Sequence, residues 1–112
     1  MPDTIFSKII ARQIPAKIQF EDDNYIVIHD IQPAAPVHLL VIPKKPIATL
    51  NDLSDADREL IGGMFVTGKN VMRQMGHKDY RAVINCGAGA QQSVFHIHLH
   101  LLAGRAFTWP PG

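Results

Sequence analysis

Apolar residues recur along this chain in two rhythms, one of three to four positions that predicts helices and one of runs or alternation that predicts strands. From Thr4 to Gln13, Ile5 pairs with Ile9 and Phe6 with Ile10 at helical spacing. Asp3 can cap this segment and Pro15 can stop it, so a short amphipathic helix is predicted. Lys17 to Glu21 and Tyr25 to His29 are apolar runs separated by Asp22-Asp23-Asn24, the turn chemistry of an antiparallel hairpin. The stretch Gln32-Pro33-Ala34-Ala35-Pro36 is excluded from a sheet interior because its two prolines have no N–H to donate. It leads as a loop into a strand from Val37 to Ile42, which Pro43 and Pro46 end.

Ser54 opens a long helical segment, with Asp57 where a capping box usually has Glu or Gln. Leu60, Met64, Val71 and Met75 form its apolar stripe. Gly62-Gly63 and Gly68 each weaken a helix by up to about 1 kcal/mol relative to alanine, which fits either close packing on a sheet or a partner or simple tolerance. Gly76 suits the end of that helix, Tyr80 to Asn85 reads as a fourth strand, Gly87-Ala88-Gly89-Ala90 as a flexible loop and Val94 to Leu102 as a fifth strand. The predicted fold is therefore α+β: a five-stranded, mainly antiparallel sheet with one long and one short helix.

At 112 residues the chain fits one domain, 1–112, with 104–112 as a C-terminal tail. Hydrophobic residues at 46% and charged residues at 19% give a globular balance rather than the signature of disorder. Eleven basic residues against ten acidic ones leave no long cationic footprint, so no nucleic-acid partner is expected, whereas a small anion remains compatible. Cys86 is the only cysteine, which excludes an intrachain disulfide and favours a reducing compartment. Met1-Pro2-Asp3-Thr4 does not lead into an apolar stretch of signal-peptide length, and no run approaches the ~20 apolar residues of a membrane span. A cytoplasmic protein with no membrane partner is expected.

The chemistry concentrates in the last predicted strand. Alternation there would put His96, His98 and His100 on one face, for chemistry, and Phe95, Ile97, Leu99 and Leu101 on the other, in the core. Three imidazoles in a row admit a solvated stripe, a zinc site or a phosphate site. Zinc is disfavoured: at ~3.3 Å per residue, His96 and His100 are about 13 Å apart along an unbent strand, and no neighbouring carboxylate or second cysteine completes a site. A phosphate uses the row better, with the central His98 attacking phosphorus and the flanking rings donating hydrogen bonds or a proton. A backbone carbonyl is the expected acceptor that fixes the tautomer of the nucleophile. His38, on the apolar strand, could extend the row into a proton relay. The small residues of Asn85-Cys86-Gly87-Ala88-Gly89-Ala90-Gln91-Gln92-Ser93 let backbone N–H groups approach a phosphate, with Asn85 and Ser93 as side-chain donors.

His96-Ile97-His98-Leu99-His100-Leu101-Leu102 resembles, at every position, the His-φ-His-φ-His-φ-φ signature of the histidine triad family, φ being apolar. The likeness extends through Asp3-Thr4-Ile5-Phe6, Ile14-Pro15-Ala16-Lys17, His29-Asp30-Ile31, Val41-Ile42-Pro43-Lys44-Lys45, Gln92-Ser93-Val94 and Trp109-Pro110-Pro111-Gly112. It is similar to the nucleotide-binding protein branch of that family and departs from it at Ile28, where an aromatic residue is common, and at Pro46, where some members have histidine.

This resemblance implies a homodimer whose sheets join, and metal-independent, cofactor-free hydrolysis of purine nucleoside phosphoramidates, conjugates of AMP or GMP such as lysyl-AMP. It implies that His98 forms a nucleotidyl-histidine, that His96, His100 and His38 orient groups or handle protons, and that Ser93, Asn85 and Gln92 face the phosphate or leaving group. It makes Asp30 the acceptor for the ribose hydroxyls, Ile5, Phe6, Ile9, Ile28, His29, Ile31 and Leu40 the surroundings of the purine, and Trp109 a tail residue reaching the partner's site. Two other functions stay open: dinucleoside polyphosphate hydrolysis, as in another branch of the superfamily, and a nucleotide-binding scaffold for a regulatory protein partner.

Overall fold

The computed structural model describes residues 3–112; Met1 and Pro2, part of the predicted domain and of the N-terminal reading, lie outside them. Helix α1 (Ile5–Ile10) is followed by strands β1 (Ile18–Glu21), β2 (Tyr25–His29) and β3 (Val37–Pro43), helix α2 (Arg58–Gln74), β4 (Arg81–Val83) and β5 (Leu99–Ala103). The five strands form one sheet in the order β1-β2-β3-β5-β4, with every pairing antiparallel. The predicted α+β architecture is the observed one. No helix among the described residues is long and apolar enough to cross a membrane.

The caps differ from the prediction in detail. Thr4, not Asp3, caps α1: its hydroxyl accepts from the Ser7 N–H at 3.1 Å while the Ser7 hydroxyl accepts from the Thr4 N–H at 2.8 Å. This reciprocal pair satisfies two free helix-end donors at once. The helix ends by Ile10, and Arg12 adopts a left-handed φ of 62°, so the predicted extension to Gln13 is not made. At Ser54 the chain first makes a single 3₁₀ turn, Asp55–Asp57, with the Asp57 carboxylate accepting from the Ser54 N–H at 2.9 Å, and α2 begins only at Arg58. Gly76, at φ +84°, ends it as expected.

Each face of the sheet has its own core. Side chains alternate along β2, β3 and β5, so Tyr25, Val27, Leu39, Val41, Leu99 and Leu101 meet Met64, Val71 and Met72 of α2. Ile26, Ile28, Leu40 and Ile42 point the other way and meet Phe6 and Ile9 of α1. Two of the glycines of α2 are explained by the first face. A Cβ on Gly68 would stand 2.9 Å from a Leu101 methyl, and one on Gly63 would collide with the Tyr25 hydroxyl. Gly62 faces open space.

The last strand is shorter than alternation predicts. Only Leu99–Ala103 joins the ladder, and β4 spans only Arg81–Val83 rather than Tyr80 to Asn85. Residues 94–98 approach the sheet as irregular chain, tied by an Ile97 N–H bond of 2.7 Å to the Ile47 carbonyl. Phe95, predicted to lie in the core with Ile97, is consequently 41% exposed.

Candidate active site

A cavity of about 280 Å³ opens on the sheet face that α1 covers incompletely. Phe6, Ile9, Ile28 and Leu40 make its apolar wall, while Asp30, Ser93, His98 and His100 supply polar groups. Ile5, His29 and Ile31 also line it, so all seven residues expected around a purine border one space. The second core and the cavity share side chains, which follows from a six-residue helix being too short to close a five-stranded sheet. Pro15, Ala16, Gln32 and Val94 line the cavity too and were missed by the sequence reading. Gln32 was legible in principle, because its N–H donates at 2.8 Å to Asp30, two residues earlier, in a typical Asx turn.

The histidines occupy unequal places. His100 lies on β5 opposite Leu40, and His38 lies on β3 opposite Leu102, on the same sheet face. His96 and His98 precede the strand, so the expected single row along one strand is corrected to two rings delivered by a loop and two by adjacent strands. His98 packs edge-on against Phe6, with ring centroids 4.8 Å apart, and lies 4.9 Å from His100 by the same measure.

Hydrogen-bond partners assign the tautomers. The Ala34 N–H donates to His38 Nδ1 at 2.9 Å, so that nitrogen carries a lone pair and Nε2 carries the hydrogen in the neutral ring. His38 Nε2 then donates to His100 Nδ1, 2.9 Å away, which leaves the hydrogen of neutral His100 on its Nε2. His98 Nδ1 donates to the His96 carbonyl at 2.8 Å, so the lone pair of His98 resides on Nε2. The backbone carbonyl expected to fix the tautomer of His98 is thus that of His96.

The His96 ring itself is turned away from the cavity. It is buried, its Nε2 donates at 2.7 Å to the Pro43 carbonyl, and it does not line the cavity. His96 was expected to orient groups or handle protons; its ring is anchored to β3 and its carbonyl holds His98. Gln92 was expected to face the phosphate or leaving group. Its amide is spent on Gly87, Ala48 and Val94 and lies outside the cavity lining. Asn85 is half-buried just past β4, and Trp109 is 82% exposed; neither borders the cavity.

The expectation that no carboxylate lies near the histidines fails as well. Asp30, directly after β2, brings Oδ2 to 3.4 Å from His38 Nε2, and ligand atoms of Asp30, His38 and His100 lie within 4.8 Å of one another. That spacing suits a cation, but a metal-binding imidazole needs a lone pair on the coordinating nitrogen and usually donates its other N–H to an acceptor. The Ala34 N–H imposes the reverse arrangement on His38. The trio is better suited to passing or holding protons.

Burial is the main influence on the charge of all four rings and pushes the pKa of His38, His96 and His98 below the ordinary value. His100 falls furthest, to about 4, through burial first and then repulsion from His98 and His38, against an opposing pull from Asp30. Neutral imidazoles at neutral pH are what an attacking nitrogen requires.

Residues 3–107 match a family model described as the C-terminal binding region of the scavenger mRNA decapping enzyme. An uncharacterised HIT-like protein of Synechocystis sp. is 51% identical over 111 residues, covering 98% of this chain and 97% of its own. The crystal structure of a HIT family hydrolase from Legionella pneumophila superposes with a TM-score of 0.95 at 48% identity, covering 98% of this chain and 100% of that one. A histidine triad nucleotide-binding protein from Candida albicans gives a TM-score of 0.81 at 29% identity, covering 96% and 83%. The motif at residues 96–102, the sheet order and these likenesses agree, and the chain belongs to the histidine triad family.

Proposed function

We propose that this protein is a nucleotide hydrolase that cleaves the P–N bond of purine nucleoside phosphoramidates, AMP or GMP conjugates of amines, through a nucleotidyl intermediate on His98. The observation that carries this reading is the tautomer of His98: with Nδ1 donating to the His96 carbonyl, the lone pair on Nε2 is the nucleophile, in a ring that borders the cavity. Nε2 attacks the α-phosphorus and the P–N bond breaks. The amine departs with one proton, for which the Ser93 hydroxyl on the cavity wall is the donor group, itself restored from solvent. Water then attacks phosphorus, releases the nucleoside monophosphate and returns His98 to its neutral form. His100 donates its Nε2–H toward a phosphate oxygen, held in that tautomer by His38.

Asp30 accepts from the ribose diol, and the apolar wall of Ile5, Phe6, Ile9, Ile28, Ile31 and Leu40, with His29 at its rim, takes the purine. The relatives described as HIT family hydrolases and as a nucleotide-binding protein support hydrolysis or binding of a nucleotide. A homodimer belongs to the same reading: β4 is a three-residue edge strand, and Gly62, Phe65 and Val66 leave an unpacked stripe on α2. In such a dimer Trp109 would reach the partner's site, and Asn85 would approach the phosphate or leaving group.

The test is turnover of an AMP–amine conjugate by wild type and His98→Ala. The expected loss is on the order of 10⁴-fold or more, and unchanged turnover would sink the nucleophile assignment. Faster cleavage of a dinucleoside polyphosphate than of the P–N substrate would favour the P–O–P reading. Rescue of the cellular phenotype by an inactive His98 variant would favour the regulatory scaffold.

A further inference from the structure

The turn between β4 and the histidines is held by one side chain. Gln92 is only 4% exposed and uses both ends of its carboxamide. Its Oε1 accepts from the Gly87 N–H at 2.8 Å, while its Nε2 donates to the Ala48 carbonyl at 2.7 Å and to the Val94 carbonyl at 3.0 Å. Its own backbone N–H donates to the Gly87 carbonyl at 3.0 Å. Gly87 is thus gripped on both its N–H and its C=O by a single residue.

Packing does little to hold the same turn. A Cβ on Gly87 or Gly89 would meet nothing within 4 Å, and Ala88, Gly89, Ala90 and Gln91 are exposed. The backbone is also locally costly at Gln91, a residue with a side chain held at φ +71°, while Gly87, at φ +90°, takes a conformation open to glycine. Hydrogen bonds must therefore fix this geometry, and Gln92 supplies most of those in the turn.

The grip extends to the site. Ala48 adjoins Ile47, whose carbonyl accepts from the Ile97 N–H at 2.7 Å. Gln92 and Ile97 therefore clamp the irregular segment against residues 47–48 at two points. Ser93 and Val94, which line the cavity, lie between the clamps, and His98 follows the second one directly.

We infer that Gln92 is a positioning residue that latches the glycine-rich turn to residues 47–48 and so sets where Ser93 stands relative to the phosphorus attacked by His98. This rests on the hydrolase reading given above. The chemistry demands a carboxamide, because the position presents one donor and two acceptors to the side chain. Glutamate has the right length but would set an acceptor oxygen against the Ala48 and Val94 carbonyls, an unpaired and repulsive arrangement.

The experiment compares wild type and Gln92→Glu by kcat on an AMP–amine conjugate, Kd for AMP, and the ³¹P resonance of bound AMP, at a temperature where both are folded. Displacement of the turn is expected to lower kcat at least about tenfold while Kd stays within about twofold, since the base and ribose contacts are elsewhere. The ³¹P line is expected to shift, a readout that needs no turnover. Hydrogen exchange at the Gly87 amide should accelerate. An unchanged kcat with an unmoved ³¹P line would overturn the latch, as would a fall in kcat with Gly87 exchange at the wild-type rate. If Gln92→Glu does not fold, Gln92→Met keeps the length without the charge and carries the same expectations. Wild-type turnover and its loss in His98→Ala judge the hydrolase reading separately, whereas the ³¹P and exchange data judge the latch even if the reaction is a different one.

Discussion

The two faces of one sheet are finished differently. On one, a 17-residue helix buries Met64, Val71 and Met72 against Leu39, Val41, Leu99 and Leu101, with Gly68 allowing the closest approach. On the other, a six-residue helix covers Phe6, Ile9 and the strand residues beneath them, and the uncovered remainder is the cavity. The strands alternate identically toward both sides, so the difference lies in the length of the covering helix. Closure supplies stability on one face, and incomplete closure supplies a site on the other.

The largest effect that would test this contrast is a truncation on the closed face. Leu101→Ala is expected to cost about 2–5 kcal/mol of stability, read by urea denaturation, while AMP affinity of the folded fraction stays the same. If affinity fell with stability, the two faces would not be separable.

Acid comes next and acts on the open face. Burial holds the histidine pKa values below the ordinary 6.5, to about 4 for His100, so the unfolded chain binds protons first as pH falls. The corresponding stabilisation is complete above about pH 6.5 and is lost as pH drops through the folded values. The melting temperature should fall by roughly 5 °C or more over that window, and His100→Asn should flatten the decline, whereas Leu101→Ala should lower the curve without changing its slope.

Substitution on the outer surface of α2 separates a third contribution. Phe65→Asp is expected to weaken self-association about tenfold or more in sedimentation equilibrium, with unfolding measured on the monomer nearly unchanged. Equal sedimentation of the variant and wild type would remove that stripe from the proposed interface. Ile31→Ala should have the smallest effect on stability, within about 0.5 kcal/mol, because the side chain is 87% exposed. As a cavity residue it should nevertheless raise KM severalfold in steady-state assays.

Particular residues show how far the sequence could be read. Alternation placed Leu99 and Leu101 in the core correctly, because both stand in a ladder with β3. The same alternation placed Phe95 in the core incorrectly, because residues 94–98 have no ladder partner to enforce the period. The resemblance made Gln92 a neighbour of the phosphate or leaving group and His96 an orienting or proton-handling residue, but only folding brings their side chains to Ala48 and Pro43, more than forty residues away. Asp30 looked remote from the histidines until β2 and β3 paired and brought it to His38.

By itself the sequence determined the element types, the two-sided apolar patterning of the central strands and the set of imidazoles available for chemistry, since period and composition are local properties of the chain. The tertiary structure decided which nitrogen of each imidazole holds its hydrogen. A tautomer is fixed by its partner, and those partners are the backbone groups of Ala34, Pro43 and His96 and the ring of a histidine on the neighbouring strand, brought into reach by folding.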